Sequence, residues 1–205
     1  LAVNDCGFVP ICTTGNDDGI IGYTMQLIVP ADSPVKSVDD IRGQTVTLTQ
    51  PGSNSGFKAP LVLLMQDFGL QVERDYYIRF SRGHDASIGG IADGTFEVAA
   101  VASDLLQRAV DRGVVGEDDI RVLYESERFC TATLGMLHSL APALADSVRE
   151  AFLAFDWSGT GLADEFASLG ADRFVPVSYK DQWALIRRID DAVGFKHEIE
   201  MAGAE

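Results

Sequence analysis

The sequence predicts an α/β protein built on a parallel or mixed sheet, and three observations predict it. Between residues 30 and 124, short apolar runs alternate with segments of helical periodicity, about three times over. Glycine, proline and small hydroxyl residues punctuate the joins. The 205 residues are 46% hydrophobic and 23% charged, the balance of a globular chain that buries a core without disulfide or metal staples.

Each element has its own signal. Tyr23 to Val29 is apolar and ends at Pro30, as a strand does. Ser37 caps a short helical turn with Asp40 three residues on, and Gly43 stops it. Thr45 to Leu48 reads as a strand. Ser53-Asn54-Ser55 opens a helix whose apolar positions are Leu61, Leu64, Met65 and Phe68, closed by Gly69. Tyr77 to Ser81 is a strand, His84 to Gly94 a helix, and Phe96 to Val101 a buried strand. Ala102 to Arg112 is a helix with Leu105, Leu106 and Ala109 on one face, and Ile120 to Tyr124 a further strand. Repeated β-α units of this kind imply right-handed crossovers and a sheet covered by helices. The remainder reads as mostly helical: Leu144 to Phe155, carrying Val148, Phe152 and Phe155, and Lys180 to Val193, carrying Trp183, Ile186 and Ile189. Phe174 to Val177 is a short edge strand between them.

Charge and composition exclude several classes. A net charge of −15 argues against a nucleic-acid partner, which needs a basic footprint. It argues less against a small anion, because local backbone dipoles hold one inside an acidic protein. No apolar run of about 18 residues is present to form a spanning helix. Cys6, Cys12 and Cys130 match no zinc or redox spacing; they read as buried small hydrophobes, although the spacing also allows a Cys6–Cys12 bridge. No GxSxG elbow or metal-ligand spacing supports an enzyme, and no cofactor is expected.

Three segments carry candidate chemistry. In Thr49 to Phe57 a strand ends, a Pro51-Gly52 turn follows, and Ser53, Asn54 and Ser55 sit where a helix begins. Helix starts expose N–H groups and about half a positive charge, which suits phosphate-like oxygens. Plain N-capping gives the same pattern. Ser81 to Ser87 likewise follows a strand and opens a helix, so it emerges on the same sheet edge. There His84 can donate an N–H to an anion, or serve only as a cap. Asp104 follows the third strand; it can accept a proton from a ligand, or simply favour the helix start.

Taken together these segments resemble the periplasmic phosphonate-binding protein family of ABC importers, which includes phosphate- and phosphite-binding members. The matching stretches are Gly22 to Pro30 with Asp32-Ser33-Pro34, Ser37 to Gly43, Pro51 to Phe57, Phe80 to Ser87, and Gly94 to Val101. Their order and spacing fit across residues 7–190. The resemblance implies a two-lobed fold with residues 1–29 and 125–205 in one lobe, residues 30–124 in the other, and hinge strands near 23–29 and 120–126. Tyr23 looks like the family's ligand-facing tyrosine. Ser53, Asn54 and Ser55 look like its Ser-Thr-Ser cradle, with Asn54 where threonine is usual. His84 looks like its anion-binding histidine, and Asp104 falls near its amine-meeting acid. Residues 129–135 lack the family's Pro-rich return segment.

The function so implied is capture of a small phosphonate- or phosphate-like oxyanion for the membrane subunits of an ABC importer. The expected location is periplasmic, or secreted or lipid-anchored. A sensory domain presenting a bound oxyanion, phosphate or arsenite for example, to a membrane receptor is the alternative. The strand-poor flanks, with their apolar helical stripes, lead us to expect one lobe complete and the other partial. The resemblance implies an N-terminal β-α segment ahead of Gly7-Phe8-Val9-Pro10, so a missing segment, a neighbouring chain or an exposed apolar face is expected on the helical side.

Overall fold

The computed structural model describes residues 7–130 and 133–192. They divide into two compact units. The first comprises residues 7–23, 129–130 and 133–185; the second comprises 24–128 and 186–192. The chain changes unit between Tyr23 and Thr24 and between Arg128 and Phe129, a few residues from the sequence boundaries at 29/30 and 124/125. Residues 186–192 fall with the second unit.

The second unit is built on a five-stranded sheet. Its strands are β3 (Gly22–Pro30), β4 (Thr45–Leu48), β5 (Tyr77–Phe80), β6 (Val98–Ala102) and β7 (Ile120–Cys130), in the order β5-β4-β6-β3-β7. Strand β4 runs parallel to both β5 and β6, whereas β3 runs antiparallel to β6, with Met25 opposite Ala102 and Ile28 opposite Ala99. The sheet is therefore mixed. Every residue of β6 is buried, which is why it reads as an unbroken apolar run, without alternation. Ala99, Val101 and Ile28 face Ile88 and Ile91 of α2 (His84–Ala92) and Leu106 and Ala109 of α3 (Ser103–Asp111).

The helix α1 (Ala59–Phe68) begins with an unusual turn. Asn54–Lys58 is wound as a π-turn: Lys58 N–H donates to Ser53 O at 3.0 Å and Ala59 N–H to Asn54 O. Pro60 explains it. Proline has no N–H, so an α-turn here would leave the Gly56 carbonyl without its partner four residues on. That carbonyl instead accepts from Thr49 N–H at 2.8 Å. Helix α1 then buries Leu61, Val62, Leu63 and Leu64 and ends at Gly69, whose φ of 67° is the left-handed cap the sequence signalled. Burying each such side chain contributes about 1.5–3 kcal/mol. Ahead of it, the Ser37 turn forms as expected over Val38–Ile41. The Asp40 carboxylate accepts from Ser37 N–H at 2.8 Å and from Ser37 Oγ at 2.9 Å.

The first unit departs from the mostly helical expectation. It holds a four-stranded sheet of β1 (Phe8–Asn16), β2 (Gly19–Ile20), β8 (Thr133–Leu137) and β9 (Arg173–Pro176). Strand β1 lies at its centre, antiparallel to β2, β8 and β9. Two features hid β1. Pro10 argues against a central strand, and the structure accommodates it with a register shift between Pro10 and Cys12. Residues Pro10 to Gly15 are all buried, so no alternation appears.

Helix α4 (Pro142–Leu153) replaces the expected Leu144 to Phe155 helix and has no fully buried residue; Leu144 remains 52% exposed and Phe155, just beyond it, 47%. Val148 and Phe152 of the apolar stripe are half-buried, while Trp157 is 2% exposed among Phe166 and Phe174. A short helix α5 (Gly161–Phe166) follows. The expected 180–193 helix is broken at Trp183 into α6 (Tyr179–Gln182), capped by Ser178, and α7 (Ala184–Ala192); Val193 lies outside the described residues. Cys12 is buried and Cys130 half-buried, both as free thiols; Cys6, and with it the Cys6–Cys12 bridge, lies outside the described residues.

Candidate functional site

Because β4, β5 and β6 are mutually parallel, their carboxyl ends share one edge, where ligands of α/β sheets collect. The chain leaves β4 into Thr49–Ser53, leaves β5 into Ser81–Gly83, and passes from β6 directly into α3 at Ser103. Ser53, Asn54, Ser55, His84 and Asp104 therefore all stand on connections at that edge. Tyr23 belongs to the first unit, where its ring stacks on Phe129 with centroids 5.5 Å apart.

Backbone pairing continues beyond the strands and ties two of these loops together. Ser81 N–H donates to Leu48 O at 2.8 Å and Arg82 N–H to Thr49 O at 2.9 Å. Thr49 N–H in turn holds Gly56 O. One residue thus links the Ser53–Gly56 turn to the Ser81–His84 turn. Arg82 sits at φ 73°, a left-handed conformation that costs a non-glycine residue about 1 kcal/mol or more. Ser81 Oγ braces the loop, lying 2.7 Å from Ser87 Oγ and donating to Gly83 O at 2.9 Å.

Ser53 is an N-cap: its Oγ accepts from Gly56 N–H at 3.0 Å. That bond uses a lone pair and leaves the hydroxyl hydrogen to donate elsewhere. Ser55, in the first turn, is 3% exposed. Glycine is required at 56 by close approach: a Cβ there would lie 2.0 Å from Thr49 Oγ1. Gly56→Ala is expected to destabilise the second unit by about 1–3 kcal/mol, through overpacking against the strand end. Urea unfolding measures it, and a midpoint equal to the parent's would show that the turn gives way freely.

His84 is the first residue of α2, and its Nδ1 accepts from Ala102 N–H at 3.2 Å. Burial lowers its pKa, and the nearby Asp104 and Asp85 carboxylates oppose that only in part. The sign follows. An unfolded histidine takes its proton near about pH 6.5, the folded one only at lower pH. His84 thus contributes stability that is present above the ordinary value and lost as pH falls through the lowered one. On acidification from neutrality, the urea midpoint of the parent should fall more steeply than that of His84→Gln; parallel curves would contradict this.

Asp104 is paired with Arg108 at 3.3 Å, one helical turn on. Sequence reasoning missed Ser103 and Thr24. Because β3 is antiparallel to β6, it begins at this same edge. There Thr24 N–H donates to Ser103 Oγ at 2.9 Å and Thr24 Oγ1 to Glu125 Oε1 at 2.7 Å. The strand-serine-helix pattern at Ala102-Ser103 was the available signal. Thr49 was likewise quoted only as a flank, although its hydroxyl is buried without a hydrogen-bond partner. Among the described residues, no cluster of His, Cys, Asp and Glu is arranged to hold a metal ion, and no helix is long and apolar enough to cross a membrane.

This arrangement defines a mixed α/β chain of the type found in periplasmic binding proteins. A binding protein component of an ABC phosphonate transporter from Pseudomonas aeruginosa matches 98% of the chain with a TM-score of 0.74 at 19% identity; the match spans 66% of that protein. PhnD1 from Prochlorococcus marinus, solved in complex with methylphosphonate, matches 91% of the chain and 71% of its own, with a TM-score of 0.72 at 15% identity. In sequence, the Phosphate-import protein PhnD of Mycolicibacterium smegmatis is 23% identical over 214 residues, covering 99% of this chain. The chain spans 65% of the length of that curated relative. The family model for the periplasmic substrate-binding protein of phosphonate ABC transporters matches residues 1–183, and the chain belongs to this phosphonate-binding family.

Proposed function

We propose that this chain is solute-binding material of an ABC importer, and that it holds a small phosphonate- or phosphate-like oxyanion at the carboxyl edge of β4, β5 and β6. The observation that carries the reading is the arrival of two helix starts, at Ser53–Ser55 and at His84, on connections tied together through Thr49. Ser53, Asn54 and Ser55 supply side-chain donors beside first-turn N–H groups, and His84 supplies a ring N–H. These groups need no net positive charge on the protein, so a chain of net charge −15 can still bind an anion. Asp104 accepts from a protonated oxygen or an amine of the ligand, and Tyr23 is assigned to the ligand by its likeness to the family's tyrosine alone. The membrane subunits of the importer receive the ligand, on the periplasmic side.

The family's description favours an importer component over a sensory domain, and a transporter component over an enzyme. Calorimetric titration with phosphate, phosphite, methylphosphonate and 2-aminoethylphosphonate tests the reading. Saturable binding of at least one, weakened in the Ser55→Ala variant, is expected. Absence of heat and of thermal stabilisation with all four would overturn it.

A further inference from the structure

The hydrogen bond at His84 determines more than where the ring sits. A backbone N–H can only donate, so the nitrogen that receives it must present a lone pair. For His84 that nitrogen is Nδ1, 3.2 Å from the Ala102 nitrogen. We propose that the Ala102 amide fixes His84 as the uncharged tautomer with its proton on Nε2, so that the ring gives the oxyanion one neutral donor and no charge. The inference rests on the oxyanion reading of the site.

Three observations support it. Ala102 is the last residue of β6, a strand flanked on both sides, and pairs with Met25, so its N–H is held by the sheet rather than by a mobile loop. The ring is set by the first turn of α2, which packs on β6 through Ile88 and Ile91. An imidazolium would carry hydrogens on both nitrogens, and the one on Nδ1 would meet the Ala102 hydrogen head-on. The charged groups acting on the ring are Asp85 of α2 and Asp104 of α3, both of which favour the cation. Strands β4 and β6 carry no titratable side chain. Asp104 spends part of its charge on Arg108. Burial acts against the cation as well and is the larger influence.

The consequence concerns what the site recognises. A charged histidine would attract any anion through space. A neutral Nε2–H instead rewards an acceptor oxygen only at the right distance and direction. The positive character of the pocket then comes from backbone dipoles and hydroxyls, which do not titrate, so capture persists as pH rises past the ordinary histidine range.

Two-bond proton–nitrogen correlation spectra of the protein labelled with 15N-histidine test the tautomer without any ligand. At about pH 7.5, where a free histidine is neutral, His84 is expected to show a bare Nδ1 and a protonated Nε2. On acidification it should become an imidazolium only below the pH at which free histidine does. A protonated Nδ1, or conversion at or above the free-histidine pH, would overturn the proposal. Methylphosphonate titration of two variants tests the donor. His84→Gln places a neutral amide donor near the Nε2 position and should stay within about tenfold of the parent affinity; His84→Asn should lose more than about tenfold. Equal losses in both, with the parent's amide spectrum retained, would overturn the neutral-donor role. A parent that binds none of the tested oxyanions would instead sink the reading of the preceding subsection, and the spectra would still decide the tautomer.

Discussion

Ser55→Ala is expected to weaken methylphosphonate or phosphate binding by about 1–3 kcal/mol, roughly 5- to 150-fold, while leaving the unfolding midpoint close to the parent's. The residue is buried in the first turn of the helix, yet it is not the cap; Ser53 is, through its bond to Gly56 N–H. Removing Ser55 Oγ therefore subtracts a donor from a desolvated site without undoing the helix start. Ser53→Ala is the natural comparison, because it should lower fold stability by about 0.5–2 kcal/mol as well as affinity. Calorimetry and urea unfolding on both variants separate the roles. Affinity unchanged in Ser55→Ala, with a sharply lowered midpoint, would mean that the serine serves the fold alone.

Trp157→Ala is expected to destabilise the first unit by about 3–5 kcal/mol. Its ring is buried at the junction of Phe174, 4.9 Å away and edge-on, and Phe166 at 5.6 Å. Phe174 also meets Phe152 and Phe155, so the indole is the filled centre of an aromatic cluster beneath a helix with no fully buried residue of its own. The indole Nε1 has no hydrogen-bond partner. Trp157→Phe should accordingly be much milder than Trp157→Ala, since it forfeits volume but no polar contact. Thermal unfolding followed by near-ultraviolet circular dichroism reads the difference. Equal effects of Phe and Ala would show that the aromatic packing contributes little.

The second unit was legible because its signals were local. Strand β4 is predicted to the residue, and Gly69, Ser37 with Asp40, and the serine cluster mark element ends by side-chain chemistry that acts within a few positions. The common edge of Ser53, His84 and Asp104 followed from repeated β-α order alone, since parallel strands point their ends the same way. The first unit was illegible for the converse reason. Strand β1 finds its partners far away in sequence, Thr13 opposite Thr133 and Cys12 opposite Pro176, and neither pairing leaves a local trace. Pro10 argues against a central strand, and only the paired sheet reveals the register shift that tolerates a proline there. The π-turn at Asn54–Lys58 escaped notice although Pro60 was in plain view, because the Thr49 N–H that takes up the Gly56 carbonyl is supplied only by the fold. Ser103 and Thr24 were missed because each is defined by the other, across antiparallel strands.

The placement of β1 sets an order of events during synthesis. This strand precedes every other described element, yet the strands that flank it, β8 and β9, are translated only after the whole continuous stretch from Thr24 to Arg128. At about 5–20 residues per second, β1 waits many seconds while the second unit has everything its sheet requires. The part of β1 ahead of its pairing with β2 stays without strand partners over that time, and an apolar segment so held is sticky. The first of the described strands to be made is among the last of them to find its place.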